Sequence, residues 1–527
     1  MLNKGRFIFV LMLLLSVGVV GSGYAQGENI LLYGGNQDID NIDPAIGENY
    51  SINAALRSLY DPLFLPRGNE IVPHLVESYE VNDDATVWTL NLVQTATFND
   101  DGSPVNAEAV VYSYNRMLEL QGPPTYRWDG IADLNSAVAI DEYTVEFTLL
   151  QPFAPFLGTL THVFIVNPAT VEANRGDDFG QSYLRENAAG SGPFVQGRWE
   201  IGNLYEFIAA EDYWGPYPEE NGLDGFIWVI QREGSTQVNS LLANEIHVAD
   251  TIDFSDIARI NETEGYRVEQ HQGLLINTLK FNNQRGPMSD INVRLAVAHA
   301  MNYASLPDAL DNAIWVLRGP QPDNLAGFVE DLDVPTFDLE RAQELLAASD
   351  YADEWAAGTL ELDYVYVTDL ATEEIPGLIL QSNLAEIGVT MNMVPRLWPD
   401  MVASCGSVET APDIINIYTV PAYLDLDAHY YNQYHSSAWG SFNSCSFYSN
   451  ETVDGLLDTA RTEPDPDVRM DLYAEVQEIL VADAPSAWMF NEAGTIAFND
   501  CVGGFVFSPM YPLTVLFQDL TMANCPA

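Results

Sequence analysis

Patterns typical of strands and of helices alternate along this chain, and the alternation limits its possible folds more than any other feature does. Short apolar runs at residues 29–34, 225–231 and 274–281 suit strands, and apolar residues recur with helical spacing at 107–120 and 377–387. Strands that alternate with helices pack as sheets covered by helices, so the sequence predicts an α/β fold. No repeat with a period of about 20–50 residues is evident, which argues against a solenoid or a propeller.

The length and the charge narrow the possibilities further. With 527 residues, the chain is too long for one hydrophobic core, so we expect several domain-sized units. Acidic residues outnumber basic ones by 76 to 20, which gives a net charge of −56 and excludes nucleic-acid binding by electrostatic repulsion. The acidity fits either a high-salt habitat or a general solubility effect, and it says little about the ligand.

The first 25 residues have the three parts of a secretory signal peptide. Lys4 and Arg6 precede an apolar run at residues 7–20, and small residues lead to Ala25. We predict cleavage after Ala25, because this run is shorter than the roughly 20 residues that a membrane-spanning helix needs. A retained anchor is the alternative. No cysteine follows the apolar run to carry a lipid, so the mature protein is predicted to be periplasmic or extracellular.

The four cysteines all lie in the last quarter of the chain, and their even number fits an oxidising compartment. Three pairings are possible, and proximity in the sequence favours Cys405 with Cys445 and Cys501 with Cys525. Metal ligation is the weaker interpretation, because no two of these cysteines form a close CxxC pair.

Several short segments resemble, in order, the motifs of one protein family. They are residues 59–64 (LYDPLF), 73–79 (PHLVESY), 98–112 (FNDDGSPVNAEAVVY), 190–194 (GSGPF), 212–215 (DYWG), 292–296 (NVRLA) and 467–480 (DVRMDLYAEVQEIL). The family is that of the extracellular solute-binding proteins of the dipeptide, oligopeptide and nickel class, family 5, which serve ABC importers. Each segment alone is a weak signal, and their common order along nearly the whole mature chain is specific.

The resemblance implies a two-lobed periplasmic-binding-protein-like fold, with a hinge and an extra subdomain in the N-terminal lobe. It implies a ligand enclosed between the lobes, a small molecule or a short peptide, and a partner, the membrane permease of an ABC importer. We expect no cofactor, no metal and a monomer. The corresponding division of the chain is a signal peptide at 1–25, lobe I at 26–62, 190–270 and 490–527, the extra subdomain at 63–189, and lobe II at 271–489.

Residues 413–431 (DIINIYTVPAYLDLDAHYY) resemble the family segment whose aspartate anchors the α-amino group of a bound peptide. The alignment places Pro421 where that aspartate would be, and Asp425 follows four residues later. A proline cannot accept an ammonium group, so a buried cationic terminus at this position would lack a partner. An oligosaccharide-like ligand therefore stays open beside a peptide, and Asp425 would restore peptide binding if it takes the place of the aspartate.

Asp425, Asp427 and His429 also alternate in the sequence. On a strand they would share one face and form a candidate metal cluster. A solvated loop is the preferred interpretation, because spaced acidic residues are common in a chain that has 76 of them.

Five residues form the predicted ligand-binding set. Trp398, Tyr418 and Tyr423 are included because flat rings stack on peptide planes or sugar rings at low entropic cost. Asn36 follows the first strand and is the hydrogen-bonding candidate from the opposite lobe, and Asp425 completes the set. Ordinary packing in the core or at its rim is the alternative for each residue.

Motifs of enzymes are absent from the sequence: we find no HExxH, no GxSxG, no Walker motif and no Rossmann fingerprint. We therefore predict a binding protein that is not an enzyme. Paired carboxylates are easily supplied by so acidic a chain, so a secreted glycoside hydrolase is the alternative from a different class.

Overall fold

The computed structural model describes residues 29–47, 49–510 and 515–526. The predicted signal peptide at residues 1–25 lies outside them. Within the described residues, no helix combines the length and the apolar character that a membrane crossing requires.

The structure alternates strands and helices along the whole described chain. The strands are β1 Ile30–Gly35, β2 Phe64–Arg67, β3 Glu70–Pro73, β4 Val76–Val81, β5 Val87–Leu92, β6 Ala137–Asp141, β7 Thr144–Thr148, β8 Phe194–Glu200, β9 Leu204–Ala209, β10 Gly225–Ile230, β11 Val248–Ala249, β12 Tyr266–Phe281, β13 Ile314–Val316, β14 Glu361–Val367, β15 Thr390–Arg396, β16 Ile414–Thr419, β17 Ser486–Asn499, β18 Val502–Gly503 and β19 Thr521–Met522. The helices are α1 Tyr50–Leu59, α2 Ala107–Leu120, α3 Phe156–Thr159, α4 Pro168–Ala173, α5 Gln181–Leu184, α6 Gly234–Leu242, α7 Ile257–Asn261, α8 Ile291–Ala300, α9 Leu306–Ala309, α10 Leu339–Ala348, α11 Ala352–Ala356, α12 Ala371–Glu386, α13 Trp398–Ser404, α14 Leu426–Tyr434, α15 Glu451–Thr462 and α16 Pro466–Asp483. Short 3₁₀ segments connect several of these elements.

One mixed sheet of eleven strands organises the molecule. Its order is β15-β14-β16-β12-β17-β11-β1-β10-β9-β8, with β13 paired to β17. The antiparallel strands β12 and β17 have 16 and 14 residues and run through the centre of the sheet. We call the half built on β1 and β8–β11 lobe I, and the half built on β13–β16 lobe II. This architecture confirms the predicted two-lobed α/β fold.

The pairing of β12 with β17 is irregular where these strands pass from one lobe to the other. The register shifts between Gln272 and Ile276 of β12. In the gap, Nδ2 of Asn491 donates a hydrogen bond of 2.8 Å to the carbonyl of Gly273. A bulge interrupts the ladder and bends a strand, so we expect the lobes to turn relative to each other at this point.

A second sheet is inserted between β3 and β8 in the sequence. It is antiparallel, with the order β4-β5-β7-β6, and its core is aromatic, with the Phe156 ring in contact with those of Trp88 and Phe147. Tyr423 and Ala428, which follow β16, are part of the same hydrophobic core. The inserted sheet therefore packs against lobe II as well as lobe I. The residue boundaries that the sequence assigns to the lobes and the subdomain stay predictions.

A buried aspartate joins four of the sequence motifs. The Asp61 carboxylate accepts hydrogen bonds from the Ser191 hydroxyl at 2.9 Å, the Tyr213 hydroxyl at 2.9 Å and the Trp214 indole at 2.8 Å. The His74 ring nitrogen lies 2.7 Å from the same carboxylate. The LYDPLF, PHLVESY, GSGPF and DYWG segments therefore meet at one structural corner, where the polar atoms of their side chains satisfy a buried carboxylate.

The local signals in the sequence locate some elements better than others. Helix α2 has its predicted limits, and its Asn106 cap accepts a hydrogen bond from the Ala109 amide at 3.0 Å. Helix α12 begins at Ala371, six residues before the predicted start, because Pro376 lies inside the helix and not at its boundary. Strand β12 begins at Tyr266, eight residues before the predicted start, because its first half is polar and half-buried.

Two disulfides cross-link the last quarter of the chain. Cys405 is bonded to Cys445 and Cys501 to Cys525, each with a Cα–Cα distance of 4.9 Å. Both pairs confirm the pairing that sequence proximity favours.

Candidate functional site

The parallel strands of the two lobes end toward each other. As β11 proceeds it pairs with Phe498 and then Ala497 of β17, so it runs toward the centre of the long strands, and β1 is parallel to it. As β16 proceeds it pairs with β12 from Phe281 to Ile276, so it also runs toward the centre, and β14 is parallel to it. Ligands of α/β sheets bind outside the carboxyl ends of the strands. The candidate site therefore lies between the lobe I edge, where β1 and β11 end, and the lobe II edge, where β14 and β16 end.

The lobe I edge carries a buried acid in a polar setting. The Asp250 carboxylate accepts hydrogen bonds from Nε2 of Gln237 at 3.0 Å and from the Thr251 hydroxyl at 2.9 Å. The Tyr50 hydroxyl lies 3.4 Å from the same carboxylate and donates to Oδ1 of Asn36. Burial raises the pKa of Asp250 to about 6, although these hydrogen bonds favour its ionised form.

The lobe II edge carries a second polar group, built on the long strands. The Tyr418 hydroxyl donates to Oε1 of Glu492, and Asn277 is the residue paired with Tyr418 across β12 and β16. Asn277 is completely buried, and neither its amide nitrogen nor its amide oxygen has a hydrogen-bond partner among the described residues. The buried hydroxyl of Thr372, at the start of α12, is likewise without a partner there.

A further buried carboxylate lies beside this group. Glu373 is completely buried, and its Oε2 accepts a hydrogen bond of 2.7 Å from the Val367 amide at the end of β14. Its Oε1 has no partner in the described part of the chain. The Tyr364 hydroxyl donates to the Glu373 backbone carbonyl at 2.7 Å, which fixes the first turn of α12 against β14.

Burial dominates the electrostatics of the lobe II edge. It raises the pKa of Glu373 to about 7, and the nearby charge of Glu492 acts in the same direction. Burial also raises the pKa of Glu492, against the hydrogen bond from Tyr418 that favours its ionised form. Among the described residues, no positively charged group contributes to either shift. The two carboxyl groups therefore interact electrostatically, and no cation among the described residues lowers the pKa of either.

Two of the predicted site residues lie at these edges. Asn36 follows β1 on the lobe I edge, and Tyr418 lies near the end of β16 on the lobe II edge. Trp398 begins α13, with 42% of its surface exposed and its ring 5.5 Å from that of Phe442.

The other two have partners in the packed segment after β16. Tyr423 is buried, and its hydroxyl donates to Oδ2 of Asp427 at 2.5 Å. Asp425 caps α14 by accepting from the Asp427 amide at 2.8 Å, and it receives two hydrogen bonds from Arg469 at 2.6 and 3.0 Å. Ligand contact by Asn36, Trp398, Tyr418, Tyr423 and Asp425 stays a prediction.

The preference for a solvated loop at Asp425, Asp427 and His429 is wrong, and so is the strand alternative. Asp425 is the cap that precedes helix α14, and Asp427 and His429 lie within the helix, two residues apart and therefore on different faces. Both Asp427 and His429 are buried. Asp427 forms an ion pair of 2.9 Å with Arg461, and Nε2 of His429 lies 2.8 Å from the Pro320 carbonyl. No group of three potential metal-ligating residues occurs within residues 29–47, 49–510 and 515–526.

The set of site residues predicted from the sequence does not include Asn277, Thr372, Glu373 and Glu492. Glu373 and Glu492 are two of 76 acidic residues, so their chemistry alone does not distinguish them. One signal was available: Asn491 and Glu492 interrupt an apolar run in β17, where polar side chains would be buried (SAWMFNEAGTIAF).

Comparisons with known proteins agree with this architecture. A sequence model of the family "Bacterial extracellular solute-binding proteins, family 5 Middle" matches residues 70–441. The chain is 27% identical over 516 residues to the "Probable D,D-dipeptide-binding periplasmic protein DdpA" of Escherichia coli (strain K12), covering 95% of each protein. It is 26% identical over 503 residues to "Di/tripeptide-binding protein 2" of Pseudomonas aeruginosa (strain UCBPP-PA14), covering 89% of this chain and 91% of the relative. The structure of HbpA2 from Haemophilus parasuis superposes with a TM-score of 0.83 at 22% identity, over 94% of this chain and 100% of HbpA2, which shows the common fold.

Proposed function

Because the chain belongs to the bacterial extracellular solute-binding proteins of family 5, we propose that it captures a short peptide between its lobes and delivers it to an ABC importer. The observation that carries this proposal is the match to peptide-binding relatives over nearly the full length of both chains. The two sequence relatives reported above are named for binding dipeptides or tripeptides, and the glycoside hydrolase alternative has no support among them. Dipeptides, including D,D-dipeptides, are therefore the first class of solute to test.

The geometry of the long strands supports the proposed capture. The lobe I and lobe II edges approach each other at the irregular register of β12 and β17, so rotation at Gln272–Ile276 changes the gap between them. Closure would remove a dipeptide from water and open again without breaking a bond. In this proposal lobe I comprises 26–62, 190–270 and 490–527, the extra subdomain 63–189, and lobe II 271–489.

Export, the oligomeric state and the fate of the bound peptide are also part of what we propose. The signal peptide directs the protein out of the cytoplasm, the mature protein acts as a monomer, and the peptide leaves chemically unchanged. The acidic surface, with a net charge of −56 for the whole chain, does not favour adsorption to anionic lipid, so transfer would depend on a specific contact with the permease.

Native mass spectrometry of the mature protein tests capture directly. We expect a one-to-one complex with a dipeptide from a mixed panel of L,L- and D,D-dipeptides, tripeptides and maltooligosaccharides, and recovery of the same dipeptide intact. Small-angle scattering should show a smaller radius of gyration for the complex than for the free protein. Hydrolysis of a panel member would contradict the proposal. Selective binding of an oligosaccharide would show that the ligand is a sugar and not a peptide.

A further inference from the structure

The polar group at the lobe II edge contains hydrogen-bond acceptors for which the described residues supply no donor. Oδ1 of Asn277 and the Thr372 hydroxyl are buried without partners in the described part of the chain, and both lie beside the hydrogen-bonded pair of Tyr418 and Glu492. A buried polar atom without a partner costs free energy that a bound group would recover. The unpaired Asn277 side chain is an observation separate from the acidic residues, and it indicates a place for a ligand atom.

The charge of this group specifies the chemistry of that atom. Glu492 is half-buried, its charge acts on the pKa of the buried Glu373, and no lysine, arginine or histidine among the described residues acts on the pKa of either group. A hydrogen-bond donor with a positive charge is stabilised here, and a carboxylate is repelled. A metal ion is disfavoured, because the described residues contain no set of three metal-ligating side chains.

We propose that Glu492, Asn277 and Thr372 form a subsite for an ammonium group of the bound solute, with Glu373 as a second layer of negative charge. An ammonium group has three N–H donors, and the subsite offers three kinds of acceptor: a carboxylate, an amide oxygen and a hydroxyl. The subsite rests on the proposed function, since it assigns the α-amino group of a peptide to this edge.

The subsite would also supply the carboxylate that the loop after β16 does not offer to a peptide. The side chain of Pro421 has no acceptor, and the Asp425 carboxylate is already paired with Arg469. A peptide that enters between the edges would therefore find its carboxylate partner on β17, at Glu492, and not on the loop. This placement puts the charged end of the peptide next to the irregular register of β12 and β17, so binding and closure would be linked.

The test compares free and blocked amines on matched variants. The probes are D-alanyl-D-alanine, L-methionyl-L-leucine and tri-L-alanine, each with its N-acetylated twin, and dissociation constants are measured by titration calorimetry at fixed pH and ionic strength. Glu492→Gln keeps the shape and removes the charge. Glu361→Gln removes one charge at the exposed, opposite end of β14 and controls for the long-range effect of net charge.

We expect wild-type protein to prefer at least one free-amine probe to its acetylated twin by about 100-fold. Glu492→Gln should weaken that probe by about 10- to 100-fold, Thr372→Val should weaken it less, and Glu361→Gln should leave it unchanged. Thermal melting of each variant verifies its folding. Equal affinity of wild type and Glu492→Gln for a free-amine probe would overturn the subsite and leave peptide capture standing. Absence of binding by every free and acetylated probe would overturn peptide capture, and the subsite with it.

Discussion

Replacing Lys280 with methionine is expected to stabilise the protein at and below neutral pH. Lys280 is completely buried in β12, where its ammonium donates a 2.8 Å hydrogen bond to Oε1 of Gln433 and lies 5.6 Å from the centre of the Tyr434 ring. Neither partner is charged, so burial lowers the pKa of Lys280 to about 7. Methionine fills a similar volume, and Gln433 keeps a 3.3 Å hydrogen bond from Thr419.

The sign and the size of the effect follow from proton linkage. The folded protein releases the Lys280 proton near pH 7, whereas the unfolded chain holds it to about pH 10.4. Between these values the unfolded state binds more protons, so the free energy of unfolding rises with pH. The gap between the two pKa values corresponds to about 5 kcal/mol of cost well below pH 7, of which about 2 kcal/mol is relieved between pH 7 and pH 9.

Urea unfolding of both proteins between pH 6 and pH 9 measures this cost. Allowing for the lost hydrogen bond, we expect Lys280→Met to be more stable than wild type by about 2–4 kcal/mol at pH 6 and by less than about 1 kcal/mol at pH 9. Arg341→Met, which removes an exposed positive charge, should show a small difference that is nearly constant with pH. A constant difference for Lys280→Met would refute the reasoning.

The small number of lysines allows the pKa of Lys280 to be measured directly. Lys4 and Lys280 are its two lysines, and Lys4 lies within the predicted signal peptide. The cleaved protein, labelled with carbon-13 at lysine Cε, should therefore give one resonance in the NMR spectrum. That resonance should titrate near pH 7, and a midpoint near pH 10 would show that the ammonium is solvated.

Three other changes test separate parts of the structure. Glu373→Gln should flatten the pH dependence of the free energy of unfolding, because burial raises the pKa of Glu373 to about 7. In the wild type, the stability contributed by protonated Glu373 is lost as the pH rises from about 4.5 through 7. The same change in free energy of unfolding between pH 5 and pH 8 for wild type and variant would contradict this. Serine at both Cys405 and Cys445 should cost about 3–4 kcal/mol in calorimetry, because it frees a loop of 40 residues, and an unchanged melting temperature would exclude a stabilising role for the disulfide. Asp425→Asn keeps the helix cap and breaks the ion pair with Arg469, so it should cost about 2–4 kcal/mol in urea unfolding and leave the affinity for dipeptides unchanged. A loss of affinity at constant stability would instead make Asp425 the ligand contact that the sequence predicts.

Features that depend on residues close together in the sequence could be predicted from it. The alternation of apolar and polar residues identifies most strands and helices, and the Asn106 cap sets the start of α2. The order of the family motifs predicts the fold, and the Asp61 corner explains why four of those motifs occur together. Sequence proximity also predicts both disulfides, because a cysteine meets a near neighbour at a smaller entropic cost.

The candidate site depends on residues far apart in the chain, and sequence patterns alone do not bring them together. Asn277 lies opposite Tyr418 only through the register of β12 and β16, and Tyr418 meets Glu492 only because β17 lies on the other side of β12. Asp425 has the carboxylate that a ligand anchor needs, but in the tertiary structure this carboxylate forms an ion pair with Arg469.

The sequence by itself therefore determined the local elements, the family and the two-lobed architecture. Tertiary structure alone decided which acidic side chains lack a neighbouring cation, as the buried Glu373 and the half-buried Glu492 do, and which are paired. The physical reason is that local propensities act between neighbouring residues. The charge and hydration of a side chain depend on every group that packs around it, wherever that group lies in the chain.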